Sequence, residues 1–175
     1  MENKMFCYQC QETANCSGCT VSGVCGKKPD VAAMQDLLVY ATKGLSAVAE
    51  QLRKEGKEVT PDVNHRVTMN LFITITNANF DKDAIVESIK ETFALRDAER
   101  AKITVINSLP TAATVEVAEK DYEIFAQSIG VLSTENEDIR SLRELITYGL
   151  KGLAAYSKHA NALLKDDSNV DAFIQ

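Results

Sequence analysis

The sequence predicts an all-α fold behind a cysteine-rich loop. Three observations carry this. Long stretches place apolar residues at alternating steps of three and four, the period of a helix face. Three Pro, eight Gly and no Trp are poor material for an all-β fold with many turns. All five cysteines fall between Cys7 and Cys25, and the 150 residues that follow carry none. At 175 residues the chain suffices for one domain or for two small ones packed together.

Residues 1–29 show no apolar period. Gly18, Gly23, Gly26 and Pro29 suit a backbone that wraps around something. Asp30 is the expected N-cap of a long helix with Val31, Met34, Leu38, Ala41, Leu45, Val48 and Leu52 on one seam. Gly56 is its stop signal. Pro61 fits the start of a second helix running through Val67 and Leu71. The run from Leu71 to Thr76 is rich in β-branched residues, but its neighbours favour a buried helix, and helix is the reading adopted. Asp81 opens a third helix with Ile85, Ile89 and Phe93 at four-residue steps.

Residues 103–116, with Pro110 among several Thr and Val, read as a loop or helix end. A further helix covers about 117–128 and ends near Gly130. Thr134 and Glu137 make a capping-box pattern. The helix behind it uses Ile139, Leu142, Ile146, Gly149, Leu153, Tyr156, Ala160 and Leu163. Asp166 to Asn169 break it, and Val170, Phe173 and Ile174 begin a new apolar pattern. The expected division is a cysteine-rich segment at 1–29, a first helical unit at 30–102 and a second, incomplete one at 103–175.

An internal repeat supports two helical units. Tyr40, Lys43, Gly44, Leu45 and Ala47 coincide with Tyr148, Lys151, Gly152, Leu153 and Ala155 at an offset of 108. Chance likeness of Leu/Ala-rich helices is the competing explanation, and the shared Tyr-x-x-Lys-Gly-Leu-x-Ala weighs against it. Gly inside a helix costs about 1 kcal/mol relative to Ala, so Gly44 and Gly152 are expected where helices approach closely.

Charge and hydropathy exclude several classes. A net charge of −6 without a basic stripe argues against nucleic acid and anionic membrane. No apolar run reaches the roughly 18 residues of a spanning helix, and the start of the chain has no secretory h-region. A cytoplasmic location with reduced thiols follows as the expectation.

Cys7 and Cys10 form one C-x-x-C and Cys16 and Cys19 another, with Cys25 six residues on. Two residues between thiolates let a single turn aim both sulfurs at one centre. Spacing alone does not choose four donors out of five. Zinc ribbons separate such pairs by about 15–20 residues, so the short gap here favours an iron–sulfur cluster over zinc. A disulfide framework does not suit a reducing compartment.

The motif is more specific than its spacing. Met5-Phe6-Cys7-Tyr8-Gln9-Cys10-Gln11-Glu12-Thr13-Ala14, then Gly18-Cys19-Thr20 and Gly23-Val24-Cys25-Gly26-Lys27, resembles the opening of the hybrid-cluster protein (hydroxylamine reductase, prismane) family. Gln35-Asp36-Leu37-Leu38 and the stretch from Gly130 to Asp138 continue the likeness along essentially the whole chain. The resemblance implies two three-helix bundles. It implies a cubane-type [4Fe-4S] cluster held by Cys7, Cys10, Cys19 and Cys25, with Cys16 a spare thiol outside the family pattern. It also implies electron transfer in a hydroxylamine reductase of anaerobic nitrogen-stress metabolism. Members continue for several hundred residues, where further Cys, Glu and His hold the catalytic hybrid iron–sulfur–oxygen cluster. With no Cys beyond Cys25, this chain is not expected to bind that cluster or to turn over alone, and no catalytic residue is assigned. The expected partners are a redox partner or the catalytic domains, and a homo-oligomer is compatible with the sequence. The rival reading is a helical protein whose zinc or iron–sulfur centre is purely structural.

Other polar residues have plainer explanations. His65 and His159 sit on polar helix faces as solvated side chains. Glu135, Glu137 and Asp138 suit a helix's first turn. Tyr40 and Tyr148 read as packing residues with a polar tip. Lys27 has two readings of equal weight, an exposed loop lysine or a cation stabilising a negatively charged cluster.

Overall fold

A computed structural model describes residues 5–76, 78–105 and 109–175. Residues 1–4 of the expected cysteine-rich segment and 106–108 of the expected loop lie outside the described residues. Seven α-helices are described: α1 (Pro29–Lys54), α2 (Pro61–Ile75), α3 (Lys82–Arg100), α4 (Thr111–Thr114), α5 (Tyr122–Ile129), α6 (Glu137–Ala162) and α7 (Ser168–Ile174). Among the described residues there is no β-strand, only an isolated antiparallel bridge between Cys7 and Cys19. The fold is all-α. No described helix is long and apolar enough to cross a membrane.

α1 begins one residue earlier than its expected cap. Pro29 occupies the first turn, where its missing N–H leaves no bond unmade, and Lys28 is the extended N-cap. Asp30 stands in the first turn, where its charge complements the helix dipole. The far end closes in a Schellman motif. Lys57 N–H donates to Leu52 O and Gly56 N–H to Arg53 O, both at 2.9 Å, with Gly56 at φ +70.

All seven seam residues of α1 are buried. Met34 and Leu38 pack with Ile85, Ile89 and Phe93 of α3 and with Tyr122 and Ala126 of α5. Leu45 and Ala49 pack with Val63, Val67 and Leu71 of α2, Ala154 of α6 and Ile174 of α7. Val48 and Leu52 meet Ile103 and Ala113. Ala32 meets Met5, Cys7 and Cys19. α1 thus runs through every one of these clusters. The division expected at residue 103 groups α4 and α5 with the second unit, and both pack on α1.

The β-branched run at the end of α2 is helical to Ile75 because tertiary burial outweighs propensity. Leu71 and Thr74 face the core, and the Thr74 hydroxyl donates to Leu71 O at 2.9 Å. Asp81 caps α3 as expected, accepting from the amides of Asp83 and Ala84 at 3.0 and 3.2 Å. The stretch before Gly130 is shorter in α-helix than expected: Ala118 is extended, Glu119–Asp121 form a 3-10 turn, and α5 follows.

The repeat is visible as structure. α1 and α6 are both 26 residues long, and their ends differ by the same offset of 108. Two details depart from expectation. The cap of α6 is Asn136, whose Oδ1 accepts from the Ile139 amide at 3.0 Å, while the Thr134 hydroxyl accepts from Arg143 instead. The expected seam of α6 is largely uncovered: Ile139, Leu142, Ile146, Tyr156 and Leu163 are all exposed. α6 rests instead on α2 along a strip that includes Ala154 and Ser157, where small side chains permit contact. Periodicity marks an amphipathic face without saying which partner covers it.

The paired glycines differ in the same way. A Cβ on Gly44 would lie 2.1 Å from the carbonyl oxygen of Ala112, so the α4 backbone sits directly on α1 there. A Cβ on Gly152 would meet nothing within 4 Å, so the expected close approach at that glycine is not made.

Candidate iron–sulfur site

The cysteine loop is ordered by a few main-chain bonds. The amide of Cys7 donates to the carbonyl of Cys19 at 2.9 Å, and the amide of Cys19 donates back to Cys7 at 3.0 Å. Thr13 sits beneath this pair, its hydroxyl 3.1 Å from Cys7 O and 3.7 Å from Cys19 Sγ. Further on, Gly26 N–H donates to Gly23 O and Gly23 N–H to Lys27 O, a tight turn that presents Cys25. A Cβ on Gly23 would stand 3.0 Å from both Cys25 Sγ and Lys27 Cβ, so a side chain there would press on both.

Of the expected ligands, Cys7 and Cys19 are buried side by side, Cys10 is half-buried and Cys25 is exposed. Cys16 is exposed in a 3-10 turn at φ +55, its carbonyl accepting from the Tyr8 hydroxyl at 3.4 Å. Among the described residues no three Cys, His, Asp or Glu side chains gather around one ion. A four-iron cluster takes one thiolate on each iron, so its donors stand farther apart than those of a single ion. His65 and His159 are exposed and remote from the cysteine loop, His159 edge-on to Phe72 at 5.9 Å.

Lys27 is not an exposed loop lysine. It is 1% exposed, and its ammonium donates to Cys7 Sγ at 3.6 Å. Burial pushes the Cys7 thiol up, against the opposing pull of Lys27 and the Gln9 amide. Burial acts upward on Cys19 too. The amides of Ala14 and Val24, the Thr13 hydroxyl and Lys27 outweigh it and hold that thiol below its ordinary value. The Ala14 amide lies 3.4 Å from Cys19 Sγ. Soft thiol donors, main-chain N–H groups on sulfur and a buried ammonium suit a thiolate-bound, negatively charged iron–sulfur centre.

Behind the loop lies a network absent from the sequence expectations. Gln9, between Cys7 and Cys10, accepts from the ammonium of Lys151 on α6 and donates through its amide nitrogen to Asp36 Oδ1 on α1. Lys151 is 2% exposed. Burial pulls its amine down to about 8 and pushes the Asp36 carboxyl up to about 7, each partly offset by the other. The position of Gln9 inside the C-x-x-C was the available signal, but the reach of Lys151 is a tertiary fact.

A profile described as the Prismane/CO dehydrogenase family matches residues 5–175. The chain belongs to the Prismane/CO dehydrogenase family. Its prismane-family relatives include the hydroxylamine reductase of Desulfovibrio desulfuricans, 52% identical over 100% of this chain and 32% of that protein. The hydroxylamine reductase of Clostridium perfringens is 52% identical over 97% of this chain and 32% of its own length. That of Bacteroides thetaiotaomicron is 47% identical, with 98% and 31% covered. The chain therefore spans about a third of the length of these relatives. Membership of the prismane family implies iron–sulfur binding, and the only thiols in this sequence are the five of the loop.

Proposed function

We propose that this chain is the iron–sulfur electron-transfer region of a hydroxylamine reductase, and that its centre is a [4Fe-4S] cluster on Cys7, Cys10, Cys19 and Cys25. The observation that carries the reading is the Cys7–Cys19 pair. Two thiols are fixed to each other by the main chain, with the buried ammonium of Lys27 aimed at one of them. The buried ammonium offsets the negative charge of thiolate ligands, and the short gap between the two C-x-x-C pairs favours a cluster over a zinc ribbon.

When bound, the cluster supplies one-electron transfer. The chain's own residues do the rest. The four thiolates hold it, the Ala14 amide and the Thr13 hydroxyl orient Cys19, and Lys27 offsets the thiolate charge. Cys16 falls outside the family motif and stays unliganded in this reading. Electrons would pass to a catalytic centre in the remainder of the full-length protein, where hydroxylamine is reduced to ammonia. A cubane with a thiolate on every iron has no open coordination position, so this chain alone would not turn hydroxylamine over. Purification under anaerobic conditions with iron and sulfide analysis tests the reading. About four irons and four sulfides per chain are expected. One zinc and no sulfide would overturn it in favour of a structural metal.

A further inference from the structure

The two lysines of the repeat have different fates. Lys43 and Lys151 occupy equivalent positions on α1 and α6. Lys43 is exposed, whereas Lys151 is buried and reaches the side chain of Gln9, between two of the expected ligands. An ammonium is an expensive group to bury for packing alone, since an apolar side chain of similar volume fills the same space without losing hydration. The charges facing it are Asp36 on α1, Glu144 on its own helix, Lys27 and Cys7 of the loop. Lys27 and Lys151 are almost completely enclosed. They place two ammonium groups on the Cys7–Cys10 turn, at Cys7 Sγ and at the Gln9 side chain, against the single carboxylate of Asp36 on Gln9.

We propose that Lys151 is the residue through which the second helical unit sets the reduction potential of the iron–sulfur centre. The inference rests on the functional reading above and adds a residue from outside the cysteine loop. Reduction adds one negative charge to the centre. A buried cation stabilises that charge, and net charge around a cluster is one of the levers that fix its potential. The contact through Gln9 also holds the Cys7–Cys10 turn against α6, so the ammonium keeps a fixed place relative to both thiols.

The test is a potentiometric titration of the reconstituted chain, followed by EPR, for the unaltered protein and for Lys151→Gln, Lys151→Arg and Lys43→Gln. Lys151→Gln keeps a donor for Gln9 and removes the charge. Its midpoint is expected to fall by at least a tenfold change in the reduction equilibrium, about 59 mV for a one-electron couple. Lys151→Arg and Lys43→Gln are expected to titrate with the parent. A Lys151→Gln protein with full iron content and an unchanged midpoint overturns the proposal. If Lys151→Gln does not fold or hold its cluster, Lys151→Arg decides: retention supports a requirement for charge, and loss in both shows that shape is what matters and overturns it. Iron and sulfide analysis of the unaltered chain comes first. Their absence defeats the functional reading, whereas a cluster indifferent to Lys151→Gln defeats only this inference.

Discussion

Cys7 and Cys19 exchange both of their main-chain hydrogen bonds, at 2.9 and 3.0 Å, so two of the expected ligands are held to each other by the polypeptide itself. The pair lies against Ala32 of α1, which ties the loop to the helical body. The remaining expected ligands, Cys10 and Cys25, stand at the more open side. From this arrangement and the family motif, Cys7→Ser, Cys10→Ser, Cys19→Ser and Cys25→Ser are each expected to lose the cluster, and Cys16→Ser to keep it. Iron and sulfide content after anaerobic reconstitution decides. A Cys16 variant that cannot be loaded, beside a Cys19 variant that can, would reassign the ligands.

Gly44 and Gly152 are expected to respond to alanine with opposite signs. At Gly44 the added methyl meets the Ala112 carbonyl at 2.1 Å, and relieving that clash costs about 1–3 kcal/mol. At Gly152 there is open space, so the better helix propensity of Ala adds about 1 kcal/mol. Urea unfolding of the two variants measures both, and equal shifts would show that the two sites are packed alike.

The same contrast holds for Leu38 and Ile146, which occupy equivalent places on α1 and α6. Leu38 is fully buried and Ile146 is 63% exposed. Leu38→Ala is expected to cost about 2–5 kcal/mol. Ile146→Ala should stay within about 0.5 kcal/mol in this chain. A large loss at Ile146 in the same unfolding assay would mean that another surface covers it in solution.

Glu55 gives a dependence on pH. Its carboxylate accepts from Lys57 Nζ at 2.6 Å and from the amides of Thr104 and Val105, both at 2.9 Å. These bonds, Lys57 first, hold its pKa well below the ordinary 4.5. A depressed carboxyl contributes stability that is present above the unfolded value and lost as pH falls towards the folded one. Glu55→Gln should therefore be less stable at neutral pH, with the gap closing as pH drops below 4.5. Thermal melts at several pH values test this, and a gap that widens in acid would contradict it.

Much of this was legible in the sequence. Pro61 and Asp81 marked real helix starts, and the seam from Val31 to Leu52 is buried as its period implies. The same period on α6 marks a helix, yet most of that face is exposed, because periodicity is local and coverage is not. Thr134 lost the cap to Asn136 because two acceptable oxygens stood close together and geometry chose. The burial of Lys27 and the reach of Lys151 to Gln9 depend on residues 20 and 142 positions away from their partners, beyond any spacing rule.

The place of α1 in every apolar cluster also bears on the order in which the chain assembles. Its partners α2 and α3 follow it closely in sequence, so their contacts close short loops. α6 must return over some sixty residues to lie on α2, and long loops close at a greater entropic cost. Pulse-labelled hydrogen exchange during refolding should find the amides of α1, α2 and α3 protected before those of α6. Early protection of α6 would show instead that the second long helix nucleates by itself. On the expected route, the first three helices are a finished platform before the one that carries Lys151 arrives, and the loop around Cys7 acquires its last neighbour at the end of folding.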